Sequence, residues 1–483
     1  MRYQSRFTYQ PTRKPQPIRI TLTVRQIIDS HHPMKKRYFA YATVGLLSAG
    51  AVALAAVNRI PEPPGPVGET PELGRVGDYA IGTVEKDYTL PNRARISAVG
   101  AVTGSLPVED RRLKVRIWYP ATVDASATPA RYVHSFKGPG QPAFEIVMPG
   151  VGVANAPALV AKKFPLVLMS HGFGGWNTQF SNLGETIASH GYIVASIDHG
   201  DTPITSKSDF ILSFGNVLLN RAQDQRQVLT RLLSEAAPLN IDADKVAMLG
   251  YSMGGYGALA TAGAGYDPAS ATIARLPAAA QKIVTTDAPD IAAKIDALIV
   301  LAPWGGQPDS RVWTAQSLSR ITAPTLVVGG DHDDIVNFRE GVSWIFDQLS
   351  GADRHMLVFR DARHNIVGNP VPFTTQTAFP VIEFMNEPVW RQDRINMINQ
   401  HFVRAFLDLH LKGDATKAAY LSVPTEVAGD GDWPTGFGES VGGMMASDKQ
   451  PKYWRGFQRR WALGLEMYRA GKGESGKRTE AVK

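Results

Sequence analysis

The chain has no cysteine. That absence removes disulfide staples, thiolate metal sites and cysteine nucleophiles at once. A charge surplus is also missing from most of the chain. The net charge is +7, from 51 basic and 44 acidic residues, and such an excess usually suggests nucleic acid. Nine Lys or Arg and one acid, Asp29, fall in residues 1–37, so the rest holds 42 basic against 43 acidic residues. A balanced body has no net field for tracking phosphates, which excludes nucleic acid as a partner. Low complexity and internal repeats are absent as well. With 44% hydrophobic and 20% charged residues over 483 positions, there is ample material for a large core, so a disordered or collagen-like chain is excluded.

One long uncharged run is present. Residues 38–57 carry no charge and are rich in Ala, Gly, Leu and Val. Twenty residues at helical rise span about 30 Å, the hydrocarbon thickness of a membrane. Lys35, Lys36 and Arg37 precede the run and would hold its start in the cytoplasm, with the remainder exported. Ala53-Leu54-Ala55 has the small-x-small form of a cleavage site. A removed signal peptide and a retained transmembrane anchor both fit, and either gives an exported protein, periplasmic or at the cell surface, membrane-anchored or secreted. Met34 would be a natural start for such a signal. The basic segment 1–37 and this run are followed by a Pro-rich linker over 58–77.

From residue 78 to 422 short β-rich runs alternate with longer helical patterns, which predicts a mostly parallel sheet with helices on both faces. Strands are expected at 114–119, 164–170, 192–198, 245–250, 297–302, 325–329 and 355–359. Helices are expected at 221–235 and 401–411, the latter stopped by Lys412-Gly413. Residues 263–296 are longer than one crossover needs and read as an excursion. The extension 423–483 reads as Gly- and Asp-rich loops, an aromatic helix around Trp454 to Trp461 docking on the core, and a disordered charged tail.

Gly250-Tyr251-Ser252-Met253-Gly254 matches G-x-S-x-G, with an apolar strand before it and a helix after it. In that context the pattern is a nucleophile elbow, a sharp turn exposing the Ser252 hydroxyl. A serine nucleophile needs a base, and the base an orienting acid. After strand 325–329 comes Gly330-Asp331-His332-Asp333-Asp334-Ile335-Val336, which selects Asp333, with Asp331 and Asp334 as rivals. These acids are adjacent rather than spaced to converge on a metal, so no metal site is expected. His364, in the loop after strand 355–359, completes the order Ser, Asp, His. His355 falls inside a strand, His332 inside the acid loop and His190 at a helix end. Gly172-Phe173-Gly174-Gly175 follows strand 164–170. With no phosphate-binding pattern after it, this turn reads as half of an oxyanion hole. Its donor is assigned to the Phe173 N–H, with Gly174 as the neighbouring alternative; Met253 N–H is the second donor. Trp176 and Trp304 are candidate walls of the substrate pocket, with packing at the sheet edge the competing role for each.

Together Val115-Arg116-Ile117-Trp118-Tyr119-Pro120, Phe164 to Gly175, Ala188-Ser189-His190-Gly191-Tyr192-Ile193-Val194, Ile197-Asp198-His199 and the serine elbow resemble the serine α/β-hydrolases related to platelet-activating factor acetylhydrolase, including bacterial proteins labelled predicted dienelactone hydrolases. Dienelactone hydrolases proper use a cysteine, so that label describes kinship and not mechanism here. Ala323-Pro324-Thr325-Leu326-Val327-Val328-Gly329 and Trp304 are similar to bacterial polyester hydrolases, whose paired late cysteines are missing. The resemblance implies an α/β-hydrolase fold and carries Ser252, Asp333 and His364 over as nucleophile, acid and base. It implies a carboxylic-ester hydrolase acting through an acyl-enzyme on short or medium acyl esters, without a cofactor, and the run at 38–57 adds export. A polyester or long-chain ester hydrolase is the alternative, and a catalytically silent binding module the alternative of another class.

Overall fold

A computed structural model describes residues 69–137, 143–201, 206–371, 377, 379–431, 453–457 and 461–476. All of them lie in the compact unit Glu62–Lys483. The basic segment 1–37, the uncharged run 38–57, most of the linker, much of the C-terminal extension and the final tail lie outside the described residues. Among the described residues, no helix is long and apolar enough to cross a membrane.

Twelve described strands form two sheets. The strands are β1 (Ile81–Ala94), β2 (Val108–Pro120), β3 (Arg131–Phe136), β4 (Phe144–Pro149), β5 (Val153–Ala154) and β6 (Phe164–Ser170), then β7 (Ile193–Asp198), β8 (Ile241–Tyr251), β9 (Ala297–Leu301), β10 (Thr325–Gly330), β11 (Arg354–Phe359) and β12 (Leu465–Ala470). Ten of them make one sheet in the order β12-β11-β10-β9-β8-β6-β7-β2-β1-β5, and β3 pairs with β4 as a separate hairpin. The middle is parallel from β7 through β11. Most of its strands are apolar runs because helices cover both faces; every residue of β6, Phe-Pro-Leu-Val-Leu-Met-Ser, is buried.

The helices that position the site are α1 (Ser181–Ser189), α2 (Lys207–Ser234), α3 (Met253–Thr261) and α4 (Gln392–His410). Ser206 caps α2, its hydroxyl accepting the Asp209 N–H. The expected helices 221–235 and 401–411 are the C-terminal parts of α2 and α4, whose earlier turns carry less regular apolar spacing. The excursion 263–296 consists of three short helices, Ala271–Ala274, Ala278–Val284 and Pro289–Ala292.

Two expectations about the C-terminal region change. Around Trp454 and Trp461 the described residues form turns, not a helix. Trp454 nevertheless docks: it is buried, and its indole N–H donates to Thr425 O at 2.9 Å. Beyond it β12 joins the central sheet antiparallel to β11, with Leu357 opposite Met467. An amphipathic six-residue strand is easily missed after a run of aromatics, because its partner, more than a hundred residues earlier, decides whether it pairs.

The chain leaves β6 toward β7 on one side and returns at β8 on the other. Such a reversal opens a crevice beyond the carboxyl ends of the two strands. A mostly parallel sheet, helices on both faces and a strand-serine-helix turn at this reversal constitute the α/β-hydrolase fold.

Candidate active site

Ser252 sits at the carboxyl end of β8, directly before α3, with φ 51° and ψ −115°. A non-glycine residue in this sparsely populated region costs roughly 1–3 kcal/mol, so the surroundings must impose it. They do. Ser252 N–H donates to Leu301 O at 2.9 Å, and Ser252 O accepts from Tyr256 N–H at 3.0 Å and Trp304 N–H at 3.1 Å. The flanking glycines are required by close backbone approach. A Cβ on Gly254 would lie 2.0 Å from Ser170 O, and one on Gly250 would lie 2.3 Å from Gly254 O.

The structure brings Ser252, His364 and Asp333 together. Ser252 Oγ lies 3.0 Å from His364 Nε2, and His364 Nδ1 lies 2.7 Å from Asp333 Oδ2. A carboxylate can only accept, so Nδ1 carries the proton and Nε2 is free to receive the serine hydroxyl's. Asp333 is buried, and its other oxygen accepts Ile335 and Val336 N–H at 3.0 and 3.1 Å. The rivals are engaged elsewhere. Asp331 accepts the Asp361 N–H, and burial raises its pKa. Asp334 pairs with Arg363 at 2.7 Å, and that bond lowers its pKa.

The remaining histidines are apart from this chain of bonds. His332 is exposed, 3.8 Å from Asp361. His190 lies 2.7 Å from Arg75 O, and burial lowers its pKa to about 4. His355 is buried within β11, and burial brings its pKa to about 4.

The His364 loop is fastened from several sides. Arg363 N–H donates to Glu387, and the Asn365 amide to Glu383 O and Asn386 O. The Tyr251 hydroxyl donates to His364 O at 3.2 Å, with its ring 5.2 Å from the imidazole. Tyr251 was not singled out from the sequence, where it is merely the variable residue of the motif.

The glycine turn after β6 reaches the serine. A Cβ on Gly172 would lie 3.2 Å from Ser252 Cβ. Gly174 N–H is already given to Asp201 Oδ2 at 2.9 Å. Phe173 N–H meets no acceptor among the described residues, and Met253 N–H opens α3, where no intrahelical acceptor exists.

The two tryptophans separate. Trp304 stands beside the elbow, its ring 5.3 Å from Phe214 and 5.6 Å from Tyr256. Phe214 is 5.7 Å from Phe173 and stacks on Phe210 at 5.8 Å. These rings form an apolar wall that sequence reasoning missed, although Phe210 and Phe214 carry the i, i+4 spacing of one helix face. Trp176 instead stacks on His134 at 4.1 Å. It lines a polar cavity of about 440 Å³ with Glu85, Lys114 and Arg116, and none of Ser252, Asp333 or His364 lines it.

A second Ser-His-Asp array lies below. Ser170 Oγ is 2.8 Å from His199 Nε2, and His199 Nδ1 is 3.0 Å from Asp224 Oδ2. Ser170, His199 and Asp224 are all buried, so substrate has no access to that hydroxyl. Among the described residues no cluster of three or more His, Asp or Glu is arranged to hold a metal.

Parts of the chain are similar to known hydrolases. The family model for platelet-activating factor acetylhydrolase, isoform II, matches residues 145–211. The bovine platelet-activating factor acetylhydrolase is 29% identical over an alignment covering 21% of this chain and 32% of that enzyme. Cutinase est1 of Thermobifida alba is 27% identical, covering 41% of this chain and 52% of the cutinase. The matches thus span about a third to a half of these relatives. The solved structure of a ferulic acid esterase from Streptomyces cinnamoneus is 23% identical, with a TM-score of 0.46 over 69% of this chain and 91% of that one. The sequence similarities support kinship with the α/β-hydrolase esterases.

Proposed function

We propose that this chain is a serine carboxylic-ester hydrolase. The observation that carries the reading is the bonded sequence Asp333-His364-Ser252, ending on a hydroxyl held in a strained turn at the fold's crevice. His364 takes the proton from Ser252 as the oxygen attacks an ester carbonyl, while Asp333 holds the imidazole and stabilises its positive charge. The developing oxyanion is held by Phe173 and Met253 N–H, with the N-terminal end of α3 behind it. His364 then protonates the departing alcohol. Water, activated by the same imidazole, releases the acyl group from Ser252. No cofactor enters these steps.

The wall of Phe173, Phe210, Phe214 and Trp304 supports short or medium acyl esters as substrates. Phe210 in that wall and its chain neighbour Ile211 are exposed. That observation, with the cutinase similarity, favours polyester or long-chain esters as the second reading. We further propose export, with residues 38–57 a cleaved signal or an anchor; N-terminal sequencing of the mature protein decides between them.

The test is Ser252→Ala against the wild type, with short p-nitrophenyl esters and a fluorophosphonate probe. Loss of turnover and of labelling is expected. Wild-type turnover in Ser252→Ala would refute the reading, and folded wild-type protein that neither labels nor turns over would favour a silent binding module. Release of products from a polyester film, compared with soluble esters, separates the two substrate classes.

A further inference from the structure

The peptide unit between Gly172 and Phe173 is gripped from one side by buried groups. Arg221 Nη2 lies 3.5 Å from Gly172 O and donates to Asp201 Oδ2 at 2.7 Å. That same Asp201 oxygen accepts the Gly174 N–H at 2.9 Å, with Gly174 at φ +69°. His171 adds a second hold. Its Nε2 accepts the His199 N–H at 3.1 Å, so its Nδ1 is the protonated nitrogen and donates to Gly172 O at 2.6 Å. A peptide unit is planar and trans, so its carbonyl and N–H point in opposite directions. Fixing Gly172 O therefore fixes where the Phe173 N–H points.

The cost of this arrangement argues for a role beyond stability. The side chains of Arg221 and Asp201 are 0% and 3% exposed, and burying an ion pair is often no better for stability than apolar packing. Arg221 Nε and Nη1 also meet no acceptor among the described residues, a further penalty. Burial acts to raise the Asp201 pKa, but Arg221 foremost among its neighbours leaves it lowered, so the carboxylate is charged at neutral pH.

We propose that Asp201 and Arg221 are positioning residues. Together they bridge Gly172 O and Gly174 N–H and hold the Gly172–Phe173 peptide plane so that the Phe173 N–H meets the oxyanion formed at Ser252. This rests on the reading of Ser252 as nucleophile and Phe173 as donor. Two variants test it: Asp201→Asn, and the double variant Asp201→Leu with Arg221→Met, which removes both charges together.

Turnover of p-nitrophenyl esters is measured with the dissociation constant of a trifluoromethyl ketone, which forms a tetrahedral adduct on the serine. In the double variant kcat should fall roughly 10- to 100-fold, part of the loss typical of removing a whole oxyanion donor. KM should stay within about threefold, and ketone affinity should fall by the same factor as kcat/KM. Asp201→Asn keeps an acceptor for Gly174 and should lose less. A natively folded double variant with wild-type kcat and wild-type ketone affinity overturns the proposal. If instead Ser252→Ala turns over normally, or the wild type fails to bind the ketone, the underlying reading has failed and the proposal falls with it; the wild-type and Ser252→Ala arms thus tell the two failures apart.

Discussion

Replacing Asp333 by Asn changes one atom at a site whose surroundings dictate the response. Oδ1 accepts two backbone N–H groups, from Ile335 and Val336, at 3.0 and 3.1 Å. The Asn oxygen must take that place, because the reverse orientation sets an NH₂ group against two buried donors. At about 1–3 kcal/mol for each group left unsatisfied, reversal costs roughly 2–6 kcal/mol. The NH₂ then faces His364 Nδ1, where the carboxylate now lies at 2.7 Å. The imidazole must accept there, so its proton moves to Nε2, which faces Ser252 Oγ at 3.0 Å. A protonated Nε2 cannot take the hydroxyl proton. The loss expected for a wrong tautomer is about 10⁴ in kcat, or ~5.4 kcal/mol at 1.36 kcal/mol per decade, within the range set by the two backbone donors. The assay is kcat on p-nitrophenyl acetate, with circular dichroism to verify folding. Asp331→Asn and Asp334→Asn are the controls, since those acids serve the Asp361 N–H and Arg363. The reasoning is refuted if Asp333→Asn retains more than about a tenth of wild-type kcat, or if either control loses as much.

Two other outcomes are expected. His355 is buried and its pKa is lowered to about 4 from 6.5, so unfolded chain takes up a proton there that the native state refuses. The stability this contributes is complete above about pH 6.5 and is lost as the pH falls toward 4, at up to about 1.4 kcal/mol per pH unit. His355→Leu should flatten the decline of the urea midpoint between about pH 6.5 and 4.5 by one proton's worth, and parallel declines would contradict it. Phe214→Ala opens the wall between Trp304 and Phe173. It should lower kcat/KM for a hexanoyl ester about tenfold more than for an acetyl ester, since each lost methylene contact is worth roughly 1 kcal/mol; equal losses on both would place the acyl chain elsewhere.

Where the sequence was legible, the physics was local. Strands β6 through β11 are short apolar runs bounded by glycine and charge, and their pattern survives any tertiary arrangement because both faces are buried. The elbow was legible for the same reason: Gly250 and Gly254 are demanded by backbone atoms within a few residues or in the adjoining strand. Sequence order placed Ser252, Asp333 and His364 in the loops after β8, β10 and β11, at one end of that sheet, and which acid serves His364 then depended on the geometry of a single turn.

What only the tertiary structure decided involves partners remote in sequence. Strand β12 is an ordinary amphipathic hexapeptide until β11 offers it an edge. Trp176 and Trp304 look alike as tryptophans in loops, yet one stacks on His134 from β3 and the other joins phenylalanines from α2. Asp201 and Arg221, twenty residues apart, show no spacing that distinguishes them from surface charges; only burial turns them into a pair gripping the Gly172 carbonyl and the Gly174 amide. Periodicity and turn chemistry are written along the chain, whereas desolvation belongs to the space between elements and comes into being when they pack.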